Sequence, residues 1–194
     1  LHTFHFLKQK VRKHPIKTVI LVCCLVWYAF CLPRQLFPQP YATVLESSEG
    51  KLLGAKIAND GQWRFPEVDS VPYRFKMSVL QFEDAHFYHH WGVNPISVVK
   101  SLYRNITNGK ITRGGSTLTQ QVIRIAREHQ QRTYFEKLIE MIWATRLEFR
   151  YSKESILKLY ASHAPFGGNV VGLDMAAWRY FGVAPYQLSW AQSA

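Results

Sequence analysis

Cysteine is nearly missing from this 194-residue chain: there are three, Cys23, Cys24 and Cys31, and all fall inside one apolar run. The segment that follows has none, which excludes disulfides and cysteine-ligated metals there and leaves its stability to packing. Acidic residues are also scarce, 13 against 24 lysines and arginines, and none stands in residues 1 to 17. Internal repeats and low-complexity tracts are absent. The length suits one domain with a real core and is too short for two domains plus an anchor.

The one long hydrophobic run is Ile16 to Leu32, whose only charge, Lys17, sits at its edge. It reads as a short membrane span or a signal-peptide core. No small-x-small cleavage pattern follows; Pro33, Arg34, Pro38 and Pro40 form a punctuated linker over 33–41, which favours an uncleaved anchor over 16–32. Lys8, Lys10, Arg12, Lys13 and Lys17 precede it, so residues 1–15 are expected to be a basic cytoplasmic tail, with the rest of the chain outside the cytoplasmic (inner) membrane. The net charge of +11 divides into +5 from residues 1 to 17 and +6 from the remainder. Both shares suit anionic phospholipid on the two leaflets, and the anchor keeps the exported part away from nucleic acid.

Residues 42–65 alternate and turn, at Ser48-Glu49-Gly50 and Asn59-Asp60-Gly61, as two or three short strands. From Ser70 the punctuation is helical. Ser70 stands as a cap before Pro72, Asn94-Pro95 opens a second helix that stops by Asn108-Gly109, and Ser116 caps a third. Thr133-x-x-Glu136 reads as a capping box for a helix reaching about Arg150; Ser152 caps the next; Gly182 ends one after Met175 to Phe181. A mostly α domain with a small β-hairpin is expected over 42–194. Its last residues, Leu188 to Ala194, look like the start of a helix, so an incomplete carboxy end is expected.

Two stretches carry chemistry. Glu83-Asp84-Ala85-His86-Phe87-Tyr88-His89-His90-Trp91-Gly92 holds a carboxylate, Glu83, among Leu80, Phe82 and Phe87, apolar company that would suit a general base. Lys110 and Arg113 precede Gly114-Gly115-Ser116-Thr117-Leu118-Thr119-Gln120-Gln121, a glycine turn running into a helix, which is one way to receive an anion. Taken alone, each has a plainer reading: an exposed carboxylate paired to a histidine, and an ordinary turn with a cap. The three histidines have helical spacings without a third metal ligand at motif spacing, so His90 reads as a structural hydrogen-bonding residue.

These stretches resemble the first two signatures of the peptidoglycan glycosyltransferases of family 51. The match covers Glu83, Asp84, Phe87, His90 and Gly92, then the whole Gly-Gly-Ser-Thr-x-Thr-Gln-Gln run. Weaker matches follow at Lys137 and Glu140, at Lys153, Ile156, Leu157 and Tyr160, and at Ala176-Ala177 with Tyr180-Phe181-Gly182. Ala164 to Gly168 and Gly61 to Arg64 resemble the penicillin-binding protein 1C type. Three positions depart from the pattern: Glu136 for arginine, Ser162 for asparagine, and Val183 for lysine.

The resemblance implies a lysozyme-like helical fold that polymerises lipid II into β-1,4 glycan strands with inversion, releasing undecaprenyl pyrophosphate. It implies Glu83 as base for the acceptor hydroxyl and Glu140 as the supporting acidic residue, as donor-group holder or ligand of a divalent cation (Mg or Mn). Asp84, Lys110, Arg113, Ser116, Thr117, Gln120, Gln121, Lys137 and Lys153 make up the implied substrate-binding set. Asp84 either orients a basic neighbour or caps the turn. Partners implied are lipid II, the growing strand, membrane phospholipid and cell-wall synthesis proteins. Pro95 to Lys110 is either a core helix or an amphipathic basic segment dipping into the outer leaflet. A peptidoglycan cleaver would also use Glu83 but has no use for a pyrophosphate site; an inactive anchored module would tolerate the three departures.

Overall fold

In a computed structural model, residues 15–108, 115–128 and 133–194 are described. The chain divides into two compact units, Leu1–Arg34 and Gln35–Ala194. In the first, the apolar run forms helix α1 (Pro15–Phe30), 16 residues with none buried. At 1.5 Å per residue it extends ~24 Å, short of the ~30 Å of a hydrocarbon core. Among the described residues, no helix is long and apolar enough to cross a membrane. Leu36 and Phe37 are buried, so most of the segment expected to be a linker belongs to the second unit.

That unit opens on the expected hairpin, β1 (Thr43–Glu46) antiparallel to β2 (Leu52–Lys56). The third strand departs from the sequence reading. β3 (Trp63–Arg64) leaves the hairpin and pairs in parallel with β5 (Val170–Val171), which also takes β4 (Pro165–Gly167) antiparallel. Sequence-distant pairing of this kind leaves no local signature. Ala42, Phe65, Val170, Met175 and Ala176 form the cluster beneath it.

The helices follow: α2 (Tyr73–Glu83), a short 3-10 turn (Phe87–His89), α3 (Pro95–Asn108), α4 (Leu118–Ala126), α5 (Tyr134–Arg150), α6 (Lys153–His163), α7 (Leu173–Phe181) and a final turn α8 (Trp190–Ser193). Their starts follow from side chains that accept otherwise unpaired amides. Asn94 Oδ1 accepts from Ile96 and Ser97 amides, Thr133 Oγ1 from Glu136, and Ser152 Oγ from Ser155. Two starts differ from expectation. Pro72 itself precedes α2 without a side-chain cap, and Thr117, not Ser116, caps α4. Gly182, at φ 66°, ends α7 as expected.

α4 is the pillar: Leu118, Thr119, Gln120, Val122 and Ile123 are fully buried, and the helix packs against both α5 and α6. Gly92 has φ 81°, and a Cβ there would stand 2.6 Å from the Ala144 carbonyl oxygen in α5, so only glycine fits this motif position. Ser162, where asparagine was expected, is buried and accepts the Val68 amide at 3.1 Å. It therefore fixes a loop itself. Val183 packs onto the cluster of Phe75, Ala161, Leu173, Ala177 and Leu188, where a lysine would bring a charge.

Candidate active site

α2 delivers Glu83 at its carboxy end, half-buried, next to the turn that carries Asp84. The apolar setting foreseen for it is only partly formed: Leu80 and Phe87 are buried, but Phe82 is 84% exposed and forms no wall. The side chain that reaches Glu83 is polar. Gln121 Nε2 donates to Glu83 Oε2 at 2.8 Å. Tyr160 lies close enough for the Glu83 charge to add to burial in pushing the phenol up to about 12.

Asp84 is buried and fully committed within the protein. Its carboxylate meets His90 Nε2 at 3.0 and 3.1 Å and accepts the Leu118 amide at 3.0 Å. Both roles open from sequence, orienting a basic neighbour and capping, are filled at once, and Asp84 also lines the cleft beside Glu83. Asp84 thus joins the Glu83 turn to the start of α4. Thr117 is likewise spent internally, donating to Gly92 O at 2.6 Å and accepting from the Gln120 amide. The free helix-start amides expected to hold an anion are therefore occupied at Leu118 and Gln120.

Lys137 gathers the other side of the site. Its Nζ donates to Ser116 Oγ, Gln120 Oε1 and Glu140 Oε2, each at 2.8 Å. Gln120 is fully buried and acts through that lysine. Glu140 also faces Arg124 at 3.4 Å. Among the described residues, no group of three or more His, Cys, Asp or Glu could hold a metal ion. A divalent ion at Glu140 would meet two cations, so these residues do not fit the expected metal.

Glu136 was expected to close a capping box and to subtract a positive charge from the site. Only half the box forms. The Glu136 carboxylate instead pairs with Arg127 at 2.7 Å, and Arg127 also lies over the Trp143 ring at 4.6 Å. The pair is neutral as a unit. Lys153 is paired within the protein: Nζ donates to His90 O and Glu148 Oε1, both at 2.7 Å, and sits 4.4 Å above Phe87. It is a brace. Lys110 and Arg113 lie outside the described residues.

A cleft of about 250 Å³ opens beside Glu83, lined in addition by His86, Asn94, Ser97, Lys100, Arg104 and Ser116. Lys100 and Arg104 were not singled out as site residues from sequence. The available signal was their spacing of four on a helix between the two motifs, which puts both on one face. Beside them on α3 stand Ile96, Val99 and Tyr103, all about two-thirds exposed (66, 66 and 69%), so these three are not core.

A family model described as Transglycosylase matches residues 49–194. Penicillin-binding protein 1C of Escherichia coli (strain K12) is 37% identical over 166 residues, 82% of this chain and 21% of that protein. A biosynthetic peptidoglycan transglycosylase of Alcanivorax borkumensis is 39% identical over 132 residues, 68% of this chain and 53% of that protein. Penicillin-binding protein 1A of Aquifex aeolicus is 30% identical over 155 residues, 80% of this chain. The chain spans about a fifth of the length of the penicillin-binding relatives and about half of the transglycosylase.

Proposed function

The chain belongs to the transglycosylase family, and on that premise we propose that it is a peptidoglycan glycosyltransferase extending β-1,4 glycan strands from lipid II. The observation that carries this reading is the tie of base and cation to one short segment. Gln121 holds Glu83, while Ser116 and Gln120 hold Lys137. Glu83 and Lys137 are thus both tied to the Ser116 to Gln121 run, which supports a reaction with a proton to accept at Glu83 and a leaving anion at Lys137.

The acceptor 4-hydroxyl attacks the donor anomeric carbon while its proton passes to the Glu83 carboxylate. The bond from that carbon to the pyrophosphate oxygen breaks, and the electron pair leaves with the pyrophosphate. Lys137, backed by Arg124 and with Glu140 orienting it, stabilises the departing charge. Attack opposite the leaving group inverts the carbon. The fold suits the lysozyme-like architecture of the family.

The apolar run 16–32 anchors the chain in the inner membrane with the catalytic unit outside; the basic flank and missing cleavage pattern support this. Ile96, Val99 and Tyr103, exposed together on α3, support contact of that helix with phospholipid, where the substrate's lipid resides. Glu83→Gln is expected to abolish polymer formation from lipid II while circular dichroism and thermal unfolding stay unchanged. Near-normal polymerisation by that variant would sink the assignment of Glu83.

A further inference from the structure

The segments Gly61 to Arg64 and Ala164 to Gly168 take no part in the proposed reaction, yet the fold brings them together. β3 and β4 both pair with β5, and Asn169 Nδ2 donates to Gly61 O at 3.0 Å. Residues 35–42, which lead from the apolar run into the second unit, are fastened to these segments. Arg64 Nη1 donates to Pro40 O at 2.6 Å, and the Ala42 amide donates to Arg64 O at 2.7 Å. The Phe37 ring lies flat on His163, the residue before Ala164, with centroids 3.7 Å apart and planes 7° from parallel.

We propose that His163 is a proton-sensitive latch: neutral, it holds residues 35–42 on the unit, and protonated, it releases them. This goes beyond the glycosyltransferase reading and does not depend on it. His163 is 2% exposed at the carboxy end of α6. Its Nε2 donates to Glu67 Oε1 at 3.2 Å, while Nδ1 is buried and has no hydrogen-bond partner among the described residues. In the neutral ring Nδ1 is only an acceptor left bare. A second proton would place a charged N–H there with nothing to receive it.

The groups around the ring do not remove that penalty. Glu67 attracts the charge, but its side chain is half exposed and water screens it. Tyr41 spends its hydroxyl on the same Glu67 oxygen, and Arg64 repels a second cation. Burial is the largest influence and holds the His163 pKa below the ordinary imidazole value, with Glu67 opposing and Arg64 in the same sense. Once Phe37 lifts off, water reaches Nδ1 and the ordinary value returns. The released state therefore binds the proton more tightly, so docking is strongest above the ordinary imidazole pKa and weakens as pH falls below it.

Hydrogen exchange on the full chain in detergent micelles tests the latch, with rates corrected for the intrinsic effect of pH. From about pH 7.5 to about pH 5.5, one unit below the ordinary value, protection of the Ala42 amide and its neighbours in 35–42 should fall by up to about 10-fold. Protection of Val122 in α4 should hold, and His163→Gln, which keeps a donor for Glu67 but does not titrate here, should abolish the fall. Flat protection in the wild type, an equal fall at Val122, or a fall that persists in His163→Gln overturns the proposal. Nuclear magnetic resonance on the wild type needs no variant to fold: the Phe37 ring signals should follow the His163 titration with one midpoint below that of a free imidazole. Separate midpoints, or an ordinary His163 midpoint, refute the latch.

Discussion

Gln121→Leu is the sharpest perturbation of the site, because sequence and structure assign this residue different jobs. The motif resemblance implies contact with substrate, whereas the amide nitrogen points at Glu83 Oε2 from 2.8 Å. Leucine preserves size and helix propensity but removes the donor. A hydrogen bond to a charged group contributes about 1.5–3 kcal/mol. At ~1.4 kcal/mol per tenfold, a bond needed to aim the carboxylate should lower kcat about 10- to 100-fold. Glu83 is half-buried, so water replaces part of the lost bond and the lower end is the better expectation. Steady-state polymerisation of lipid II separates the two roles: loss of aim lowers kcat with KM unchanged, and loss of substrate contact raises KM. A wild-type kcat, or an effect on KM alone, would refute the positioning role.

The remaining expectations concern the scaffold. Lys153→Met leaves Glu148, only 6% exposed at its side chain, without its cation; destabilisation of about 3–5 kcal/mol is expected in urea unfolding, and a variant as stable as wild type would contradict the bracing role. Ser162→Ala strips the buried Val68 amide of its acceptor and should cost about 1–3 kcal/mol by the same assay. Burial first, then Glu46 and Asp69, raise the Asp174 carboxyl from 3.8 to about 6. The folded state thus binds a proton more tightly than the unfolded one, so this group's contribution to stability falls as pH rises from about 4 through 6. Asp174→Asn should therefore flatten that fall and stabilise the protein at pH 7 by up to about 3 kcal/mol; an unchanged pH dependence of the midpoint would discount the raised carboxyl.

Helix positions were legible because caps and stops are local. Asn94-Pro95, Thr133, Ser152 and Gly182 each act within a few residues of themselves, and all four stand where expected. The hairpin over Thr43–Lys56 was legible for the same reason. The motif resemblance singled out Glu83, Gln121, Lys137 and Glu140, and the spacing of three that puts Lys137 and Glu140 on one helical face does bring them together.

Only tertiary structure decided which of those polar groups are already paired within the protein. Asp84, Thr117 and Lys153 carry the same donors and acceptors in the sequence as their neighbours, yet each is consumed by a partner 25 to 63 residues away. Ser162 and Glu136 look like losses until Val68 and Arg127 come beside them. The pairing of Trp63–Arg64 with Val170–Val171 is likewise invisible to local pattern. By itself the sequence determined the local preferences and the chemical inventory of this protein, because those depend on residues a turn or two apart. What each inventory member does depended on long-range packing, because a hydrogen-bonding group buried against a distant partner is no longer available to a ligand.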